Sequence, residues 1–478
     1  MPLANGKCQK RCWKQQGIQV SIAIQRNKHR VICLALLSCV AKAASHGLFF
    51  GFGAQGNLDD RWIGFTNIYV EEFKTGPDGH DISKLDASRG LGPRHSLLEV
   101  AGPKIFDVTT FGAKGDDKTD NTPAFMDAWV AACRNTTTAA KVLIPEGNFL
   151  LVQTMFSGPC NSTKPIIFEV LGTVTATTDL SEFPSPEWLL FADIDSLVLK
   201  GKGVFDGQGA GAWLINDCHQ NEDCQTPPAS LKLHRVNNSI VTGITSLNSK
   251  WFHLLMDESN NLTVTDIKIT APGNSPNTDG VHISGSNLVN VTNTVIGTGG
   301  DCVSIGQGSS NITVHNVTCG PGHGISVGSL GKRTNEKSVE GVTVTECSFI
   351  NTTNGARIQT WRKNNTGEAK NIVFENLIMN NVQNPVVINQ SYGFANNLGP
   401  SDSAWKISDA HFRKIIGSTV SNIAISLQCS ALNPCQGIEV ADVDLVYSGP
   451  PENTIFVSSC SNANATFGGK LNPPACAV

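Results

Sequence analysis

Short runs in which apolar residues alternate with Thr, Asn and Ser recur along the chain from residue 237 onward. Such alternation is typical of β-strands that bury one face. An Asn or a Gly precedes each run, at positions 238, 261, 287, 311, 341 and 371, and successive positions are 23, 26, 24, 30 and 30 residues apart. A step of this length without intervening helical patterns predicts a parallel β-solenoid with one coil per repeat. A β-sandwich and a β-propeller are the alternatives.

The segment from residue 122 predicts a helix that caps the N-terminal end of the solenoid, where the open core needs a cover. Thr122 has the residue type of an N-cap, and Pro123 suits the first helical position. An apolar stripe follows at helical spacing and comprises Ala124, Phe125, Ala128, Trp129 and Ala132.

The N-terminal region has the charge order of a secretory signal. Basic residues at 26, 28 and 30 precede the apolar run Val31–Ala41, and small residues stand at 41 and 43. The run is too short to span a bilayer, so no stable membrane association is expected after its removal. A buried core strand is the alternative. We predict a leader with a secretory signal at 1–44, a poorly structured lead-in at 45–103 and the β-helix domain at 104–478.

Charge is unevenly distributed over the 478 residues. Eight basic residues precede the first acidic one, Asp59, and residues 59–478 carry 28 basic against 40 acidic groups, a net charge of −12. Nucleic acid is therefore not expected as a partner, because a phosphate-binding surface needs clustered Lys and Arg. A polyanionic sugar held by a few well-placed cations is compatible with this charge balance.

Secretion makes disulfide bonds plausible. Eleven of the 15 cysteines follow the leader, at Cys133, Cys160, Cys218, Cys224, Cys302, Cys319, Cys347, Cys429, Cys435, Cys460 and Cys476. An odd number leaves at least one thiol unpaired. The close pairs Cys429/Cys435 and Cys460/Cys476 are expected to staple the C-terminal end of the solenoid. No Cys-x-x-Cys or His-rich spacing indicates zinc, and no metal or other cofactor is expected.

Sequons for N-glycosylation support the same compartment. The eleven Asn-x-Ser/Thr sites are Asn135, Asn161, Asn237, Asn261, Asn290, Asn311, Asn316, Asn351, Asn364, Asn389 and Asn464. Some of them fall within predicted strands, where Asn and Thr also suit a solvated face. Only a subset is therefore expected to carry glycan.

Four polar clusters fall on successive predicted coils. They are Asn277-Thr-Asp-Gly280, Gly299-Gly-Asp-Cys302, Gly322-His-Gly324 and Arg357-Ile-Gln359. Asp279 and Asp301 are 22 residues apart, as are Asp301 and His323, and Arg357 follows His323 after 34. Residues one coil apart stack on the same face of a solenoid, so these side chains are expected in one groove. Two carboxyls, an imidazole and a guanidinium suit hydrolysis of an acidic sugar chain.

Longer motifs surround these clusters: SPNTDG at 275–280, GPGHGISVGSLG at 320–331 and NGARI at 354–358. Together with FDVTTFGAKGDDKTD, GVFDGQG and NNVQNP, they resemble the plant polygalacturonase family (glycoside hydrolase family 28), and within it most closely the pollen exopolygalacturonases. The likeness runs from Phe106 to Cys476. It implies a single-stranded right-handed parallel β-helix and inverting, exo-acting hydrolysis of α-1,4-galacturonan (pectin) without a metal.

The resemblance also implies roles for individual residues. Asp279 and Asp301 would activate water, and His323 would support this acid/base pair. Arg357 would grip a substrate carboxylate. The substrate-binding candidates are Asn277, Arg357, Gln359 and Tyr392. The expected partner is pectin or polygalacturonate, bound by a monomeric protein that is secreted to the cell wall.

Three positions depart from the family pattern. Gly300 stands where the family has the Asp that is usually assigned as general acid, so this acid position is vacant. Gln359 replaces a Lys, which removes one cation from the expected carboxylate site. Gly393 replaces a Cys after Tyr392, which removes a half-cystine.

Four candidate functions can be compared with these residues. The first is a polygalacturonase-type hydrolase, and the second is a weakly active or inactive pectin-binding pseudoenzyme, which Gly300 and Gln359 favour. A pectate lyase would need clustered acidic calcium ligands and a cationic base, and the sequence offers no such set. A purely structural solenoid leaves the coil-spaced clusters unexplained.

On sequence grounds, Gly300→Asp is expected to raise hydrolysis by at least about a hundredfold, because a general acid contributes roughly 10²–10⁴ in rate. A reducing-end assay on polygalacturonate, with the parent and the variant side by side, measures the change. No gain would mean that another group donates the proton or that the site is defective elsewhere.

Overall fold

The computed structural model describes residues 21–27, 30–36, 102–218, 221, 224–393, 402–451 and 455–476. The chain divides into two units, Met1–Leu98 and Glu99–Val478. In the first unit, strands β1 (Ser21–Asn27) and β2 (Arg30–Leu36) pair antiparallel. Strand β2 includes the first part of the apolar run predicted as a signal. The rest of that run and nearly all of the predicted lead-in lie outside the described residues, so both stay predictions.

The second unit consists mainly of β-strands. In chain order they are β3 (Lys104–Asp107), β4 (Asp116–Asp120), β5 (Ala139–Ile144), β6 (Asn148–Leu151), β7 (Thr154–Ser157), β8 (Thr163–Val170), β9 (Thr173–Ala176), β10 (Glu187–Ala192), β11 (Leu197–Gly201), β12 (Val204–Asp206), β13 (Ala229–His234), β14 (Asn237–Thr242), β15 (Thr245–Leu247), β16 (Leu254–Asp257), β17 (Asn260–Thr265), β18 (Lys268–Thr270), β19 (Val281–Ser284), β20 (Asn287–Gly297), β21 (Val303–Ile305), β22 (Ser310–Cys319), β23 (Ile325–Leu330), β24 (Val339–Thr345), β25 (Ser348–Ile350), β26 (Asn354–Trp361), β27 (Glu368–Val382), β28 (Asn384–Tyr392), β29 (Lys406–Thr419), β30 (Ile423–Gln428), β31 (Cys435–Tyr447), β32 (Val457–Ser461) and β33 (Ala463–Asn472).

Helical structure is sparse in the second unit. Helix α1 spans Thr122–Cys133 and helix α2 spans Ala210–Ile215, and short 3-10 helices occur at Val108–Phe111 and Leu180–Glu182. The sequence analysis did not predict α2. None of the helices in the described ranges has the length and apolarity to cross a membrane.

The strands of the second unit pair in parallel from coil to coil. One sheet has eleven strands, in the order β7-β10-β13-β16-β19-β21-β23-β26-β28-β30-β32. The remaining twenty strands join into a second, continuous sheet. This is the right-handed parallel β-helix that the repeat spacing and the family resemblance predicted, and it excludes the β-sandwich and the β-propeller.

The repeating Asn and Gly residues mark a fixed turn in each coil. Residues 238, 261, 311, 341 and 371 have φ values from 49° to 72°. Asn and Gly tolerate this left-handed region better than other residues do. The turns stack in register between successive strands. In one repeat the sequence pattern pointed to Asn287, whereas the left-handed residue is Leu288, with φ 56°.

Asparagine side chains reinforce this stacking. Asn261 Nδ2 donates to Asn238 Oδ1 at 2.8 Å, and Asn287 Nδ2 donates to Asn260 Oδ1 at 2.7 Å. Each bond links one coil to the coil before it. A single hydrogen bond contributes only about 0.5–1.5 kcal/mol, but the bonds recur along the solenoid and fix its register.

Helix α1 covers the N-terminal end of the core, as predicted. Its apolar stripe is buried, and the ring of Trp129 meets the ring of Phe156 edge-on at 5.5 Å between centroids. The predicted N-cap is wrong by one residue, because Asn121 is the N-cap and Thr122 the first helical residue. The Asn121 side chain accepts the Lys114 N–H at 2.6 Å and donates to the Lys114 carbonyl at 3.1 Å, so it ties down the preceding loop.

Five disulfide bonds lie within the described residues. They join Cys133 to Cys160, Cys218 to Cys224, Cys302 to Cys319, Cys429 to Cys435, and Cys460 to Cys476. The two predicted C-terminal pairs are therefore confirmed. The odd cysteine is Cys347, a buried thiol whose pKa is raised by burial to about 12. The bond of Cys302 lies directly beside Asp301 in the chain and anchors one coil of the predicted site.

Trp129→Ala is expected to lower the free energy of unfolding by about 3–5 kcal/mol, because it removes a large buried ring from the capped end of the core. Trp129 is 2% exposed, whereas its neighbour Val130 is 40% exposed on the outer side of α1. The matched control Val130→Ala should change the free energy by less than about 1 kcal/mol. Urea denaturation of both variants measures the effect, and equal losses would contradict the capping role of the Trp129 face.

Candidate active site

The predicted site residues stand just before consecutive strands of the eleven-stranded sheet. Strands β19, β21 and β23 pair residue for residue in parallel register. Asp279, Asp301 and His323 each precede one of these strands by the same two residues. The backbone continues the register, since Gly280 N–H donates to the Asp301 carbonyl at 2.8 Å. The 22-residue spacing therefore brings the three side chains to adjacent coils of one face, as the sequence predicted.

Two uncharged donors hold the carboxyl of Asp279. Its Oδ1 accepts the backbone N–H of Asp301 at 3.0 Å, and its Oδ2 accepts the hydroxyl of Ser304 at 2.7 Å. The Asp279 side chain is 15% exposed. Little water is thus available to solvate a negative charge at this carboxyl.

Asp301, by contrast, has a charged partner. Arg357 Nη2 donates to Asp301 Oδ1 at 2.6 Å, across 56 residues of sequence. Arg357 Nε also donates to Ser326 Oγ at 2.8 Å, which fixes the guanidinium plane. A short charge-assisted bond to a guanidinium favours the carboxylate form of its partner. Arg357 therefore favours the anionic form of Asp301 inside the site.

The two carboxyls differ in how readily they ionise. Burial, followed by the charge of Asp301, raises the pKa of Asp279 to about 7. Burial also raises the pKa of Asp301, but the charges of Arg357 and His323 oppose this effect. The negative charge of Asp301 opposes ionisation of Asp279, so the two carboxyls do not readily ionise together. Asp301 therefore ionises first, and Asp279 keeps its proton to a higher pH.

His323 is held between neighbouring coils by its backbone. Its N–H donates to the Gly300 carbonyl at 2.7 Å, and its carbonyl accepts Asn354 Nδ2 at 3.1 Å. The side chain is partly exposed and its positive charge lowers the pKa of Asp301. His323 thus lies where it can support the carboxyl pair electrostatically.

A second row of side chains, which the sequence analysis missed in part, lies three residues downstream of the first. Its members are His282, Ser304, Ser326 and Arg357, in register across β19, β21, β23 and β26. Ser304 joins the two rows, because its Oγ lies 2.7 Å from His282 Nδ1 and also donates to Asp279. The sequence held the signal: Ser304 follows Asp301 by three positions, on the outward side of an alternating strand.

His282 lies at the end of an aromatic stack. The rings of Phe252 and His282 stack at 4.6 Å, and those of Trp251 and Phe252 at 3.8 Å, between centroids. Burial lowers the pKa of His282 to about 4. The imidazole is therefore uncharged at neutral pH, although its Nδ1 is 4.0 Å from Asp279 Oδ2.

The predicted substrate-binding residues differ in their exposure. Asn277 stands in a left-handed turn with φ 55°, and it is partly exposed. Tyr392 ends β28, with its ring edge-on to Trp361 at 5.1 Å. Burial raises the pKa of Tyr392, and the charge of Arg357 opposes this shift. Gln359 is only 5% exposed, so its amide offers little surface to a substrate.

Two further cations lie beside Trp361, and the sequence analysis did not single them out. Lys332 Nζ is 4.9 Å and Lys363 Nζ is 5.5 Å from the centre of the indole. Cations over an aromatic face gain roughly 0.5–1 kcal/mol at exposed sites. They supply positive charge beside Trp361, which lies on the same strand as Gln359.

Gly300 leaves no free space for the missing acid. A Cβ on Gly300 would lie 2.3 Å from Asp279 Oδ1 and 2.7 Å from the Asp279 backbone nitrogen. Ordinary contacts between such atoms are about 3.5–4.0 Å. The Asp279 carboxyl thus occupies the place where a side chain of residue 300 would begin.

A group of possible metal ligands lies apart from these residues. Within the described ranges, Asp217, Cys218 and Cys224 bring their ligand atoms within 4.8 Å of one another. Cys218 and Cys224, however, are joined in a disulfide bond. The thiolate is the form of cysteine that ligates metals, so we assign this group no metal.

Sequence comparisons match most of the chain. The family described as "Glycosyl hydrolases family 28" matches residues 133–469. An exopolygalacturonase of Arabidopsis thaliana is 43% identical over 394 residues, which are 81% of this chain and 91% of that protein. An exopolygalacturonase of Platanus acerifolia is 42% identical over 372 residues, which are 77% of this chain and 97% of that protein.

Solved structures share the fold. An exopolygalacturonase from Thermotoga maritima matches with a TM-score of 0.64 at 17% identity, over 77% of this chain and 90% of that chain. An endo-xylogalacturonan hydrolase from Aspergillus tubingensis matches with a TM-score of 0.64 at 24% identity, over 77% of this chain and 100% of that chain. At these identities the likeness concerns the fold.

The structure reverses the outcome that the sequence led us to expect for Gly300→Asp. The new side chain would collide with the Asp279 carboxyl and backbone, so we now expect hydrolysis no faster than in the parent and a lower thermal midpoint. The reducing-end assay and a thermal melt measure the two effects. A hundredfold gain would show that the backbone of Thr278 and Asp279 yields to the added side chain.

Proposed function

Since the chain belongs to glycosyl hydrolases family 28, we propose that it hydrolyses the α-1,4 bonds of galacturonan, the acidic polymer of pectin, from chain ends. Relatives named exopolygalacturonase support the substrate and the exo mode. The observation that carries the proposal is the pair of adjoining carboxyls of Asp279 and Asp301, of which Asp301 has a direct ion pair with Arg357. One proton-bearing and one ionised carboxyl are what inverting hydrolysis of a glycosidic bond requires.

Asp301 is assigned as the general base. In inverting hydrolysis a carboxylate removes a proton from the water that attacks the anomeric carbon. Arg357 keeps Asp301 ionised, and His323 adds positive charge beside it. The family resemblance assigns Asp279 to water activation as well, but the uncharged contacts of Asp279 do not favour its anionic form in the same way.

Substrate binding has to overcome repulsion between like charges. Residues 59–478 carry a net charge of −12, and galacturonan is a polyanion, so long-range electrostatics oppose the encounter. Arg357 is the best-placed cation, because a guanidinium forms parallel bonds to a carboxylate. A substrate carboxylate would share it with Asp301. Lys332 and Lys363 add charge beside Trp361, and Asn277 and Tyr392 complete the proposed binding set.

The pseudoenzyme alternative rested on Gly300 and Gln359. The comparisons support the hydrolase and give no support to this alternative. The space beside position 300 is occupied by another carboxyl, that of Asp279, so the loss of an acid at 300 need not abolish activity.

We place the activity outside the cell, at the cell wall, in a monomeric secreted glycoprotein. Five disulfide bonds support an oxidising compartment. Among the sequons, Asn161 Nδ2 already donates to the Arg134 carbonyl, and Asn316 Nδ2 donates to Asn293 Oδ1, each at 2.8 Å. The amides of Asn261, Asn311 and Asn464 donate hydrogen bonds in the same way, so glycan is expected at the remaining sequons.

A product analysis on polygalacturonate tests the proposed function. The purified chain should release reducing ends mainly as monogalacturonate, with inverted anomeric configuration by proton NMR at early times. A ladder of oligomers would point to endo action. An unsaturated, ultraviolet-absorbing product that needs calcium would indicate a lyase, whereas a hydrolase with carboxylate chemistry should keep its rate in the presence of a chelator.

Arg357→Ala is expected to weaken binding of oligogalacturonate by roughly 2–3 kcal/mol, the scale for a hydrogen bond to a charged group. It should also slow hydrolysis, because Asp301 loses the cation that keeps it ionised. The matched control is Arg413→Ala, which removes an Arg that pairs with Glu439 in the other sheet and should leave affinity unchanged. Calorimetric titration measures both, and equal affinities of the two variants would contradict the proposed placement of the substrate.

A further inference from the structure

The proposed hydrolysis needs a proton donor, and the family position for that donor is Gly300. The oxygen of the leaving sugar must gain a proton as the glycosidic bond breaks. Asp301 serves poorly as this donor, because its contact with Arg357 favours the ionised form. The carboxyl that adjoins it on the same face of the sheet is that of Asp279, whose Oδ1 accepts the Asp301 N–H.

The geometry around Gly300 shows what its missing side chain permits. Asp279 Oδ1 lies 2.3 Å from the point where the Cβ of residue 300 would stand. Any residue with a Cβ at 300 would therefore exclude the Asp279 carboxyl from its present position. The Asp279 carboxyl can therefore take its present position only because residue 300 has no side chain.

We propose, on the basis of the function proposed above, that Asp279 donates the proton to the glycosidic oxygen in place of the missing acid, while Asp301 acts alone as the base. The two residues then have separate roles, although the resemblance assigned both to water. Gly300 is part of this arrangement, because its lack of a side chain gives Asp279 the room that the donor needs.

The contacts of the two carboxyls support this division. Asp279 accepts hydrogen bonds from the Asp301 N–H and the Ser304 hydroxyl, both uncharged. His282, 4.0 Å away, is itself neutral at neutral pH because burial lowers its pKa to about 4. Burial and the charge of Asp301 raise the pKa of Asp279 to about 7. The proton that the reaction needs is therefore present on Asp279 below that pH.

The step balances without any further reactant. The proton leaves Asp279 for the glycosidic oxygen as the bond from that oxygen to the anomeric carbon breaks. Water forms the new bond to the anomeric carbon from the opposite face and gives a proton to Asp301. The products are a free sugar hydroxyl and an inverted hemiacetal. Asp301 then releases its proton to solvent and Asp279 takes one up, which restores the starting state.

A substrate whose leaving group needs no proton separates the two roles. α-Galacturonosyl fluoride loses fluoride ion directly, so its hydrolysis needs the base but not the acid. Asp279→Asn should lose at least about a hundredfold on polygalacturonate, yet keep its rate on the fluoride to within about tenfold of the parent. Asp301→Asn should lose both activities. Asp444→Asn, which removes the partner of Lys470 in the other sheet, is the matched control and should lose neither.

Each outcome has a distinct meaning. If Asp279→Asn loses fluoride hydrolysis as fully as Asp301→Asn does, while it still binds oligogalacturonate and has the circular dichroism of the parent, Asp279 acts on water and the assignment is overturned. Full retention of polygalacturonate hydrolysis by Asp279→Asn would overturn it too. A parent chain that hydrolyses neither substrate would instead overturn the proposed function itself.

Gly300→Ala provides a second variant that keeps both carboxylates. Its methyl group should displace the Asp279 carboxyl and lower polygalacturonate hydrolysis by at least about tenfold, a smaller loss than removal of the acid itself, while fluoride hydrolysis changes little. Unchanged polygalacturonate hydrolysis in Gly300→Ala would show that the position of the Asp279 carboxyl beside Gly300 has no catalytic role.

The pH dependence provides a further readout. Among the described residues, the charged or titratable groups around the pair include His253, His282, His323, Arg357 and Tyr392. An acid with a raised pKa is protonated below that pKa and loses its proton as the pH rises through it. The rate on polygalacturonate should therefore fall as the pH rises through about 7, and the rate on the fluoride should not. Parallel falls on both substrates would contradict the role of Asp279.

Discussion

The parallel register of the eleven-stranded sheet is the constraint on which the site depends. Gly280 N–H donates to the Asp301 carbonyl and Cys302 N–H to the Gly324 carbonyl, each at 2.8 Å. Hydrogen bonding of this kind sets neighbouring strands about 4.8 Å apart. A side chain therefore meets its chemical partner one coil away, and a one-residue slip would turn it to the other face. The left-handed turns and asparagine ladders keep that register along the solenoid.

Asp279 and Asp301 lie on adjacent coils of this sheet, but their surroundings favour different ionisation states. Asp301 accepts a hydrogen bond from the guanidinium of Arg357, whereas Asp279 accepts its hydrogen bonds from the backbone N–H of Asp301 and the hydroxyl of Ser304, both uncharged. Two unit charges 4 Å apart interact with an energy of about 4 kcal/mol at an effective dielectric constant near 20. That difference is large enough to decide which carboxyl ionises first. The proposed division of work between acid and base thus depends on the position of the Arg357 guanidinium.

Periodic features could be read directly from the sequence. The solenoid, the apolar stripe of α1 and the C-terminal cysteine pairs all repeat or stand close along the chain, and the structure confirms them. Features that depend on a single backbone dihedral or on a long side chain could not be read from the sequence. Asn121 rather than Thr122 stands at the N-cap position of α1, and Leu288 rather than Asn287 takes the left-handed turn, because neighbouring contacts decide such one-residue choices.

The sequence by itself determined which chemical groups face the groove, since the coil length fixes which residues share a face. It also showed that the family acid is absent at Gly300. Only the tertiary structure showed which side chain occupies the space beside it. Asp279 fills the space beside Gly300, and Arg357 reaches Asp301 across 56 residues of sequence. Spacing along a chain specifies rows of residues, but side-chain direction, excluded volume and burial, which set the ionisation of each carboxyl, exist only after the coils have stacked.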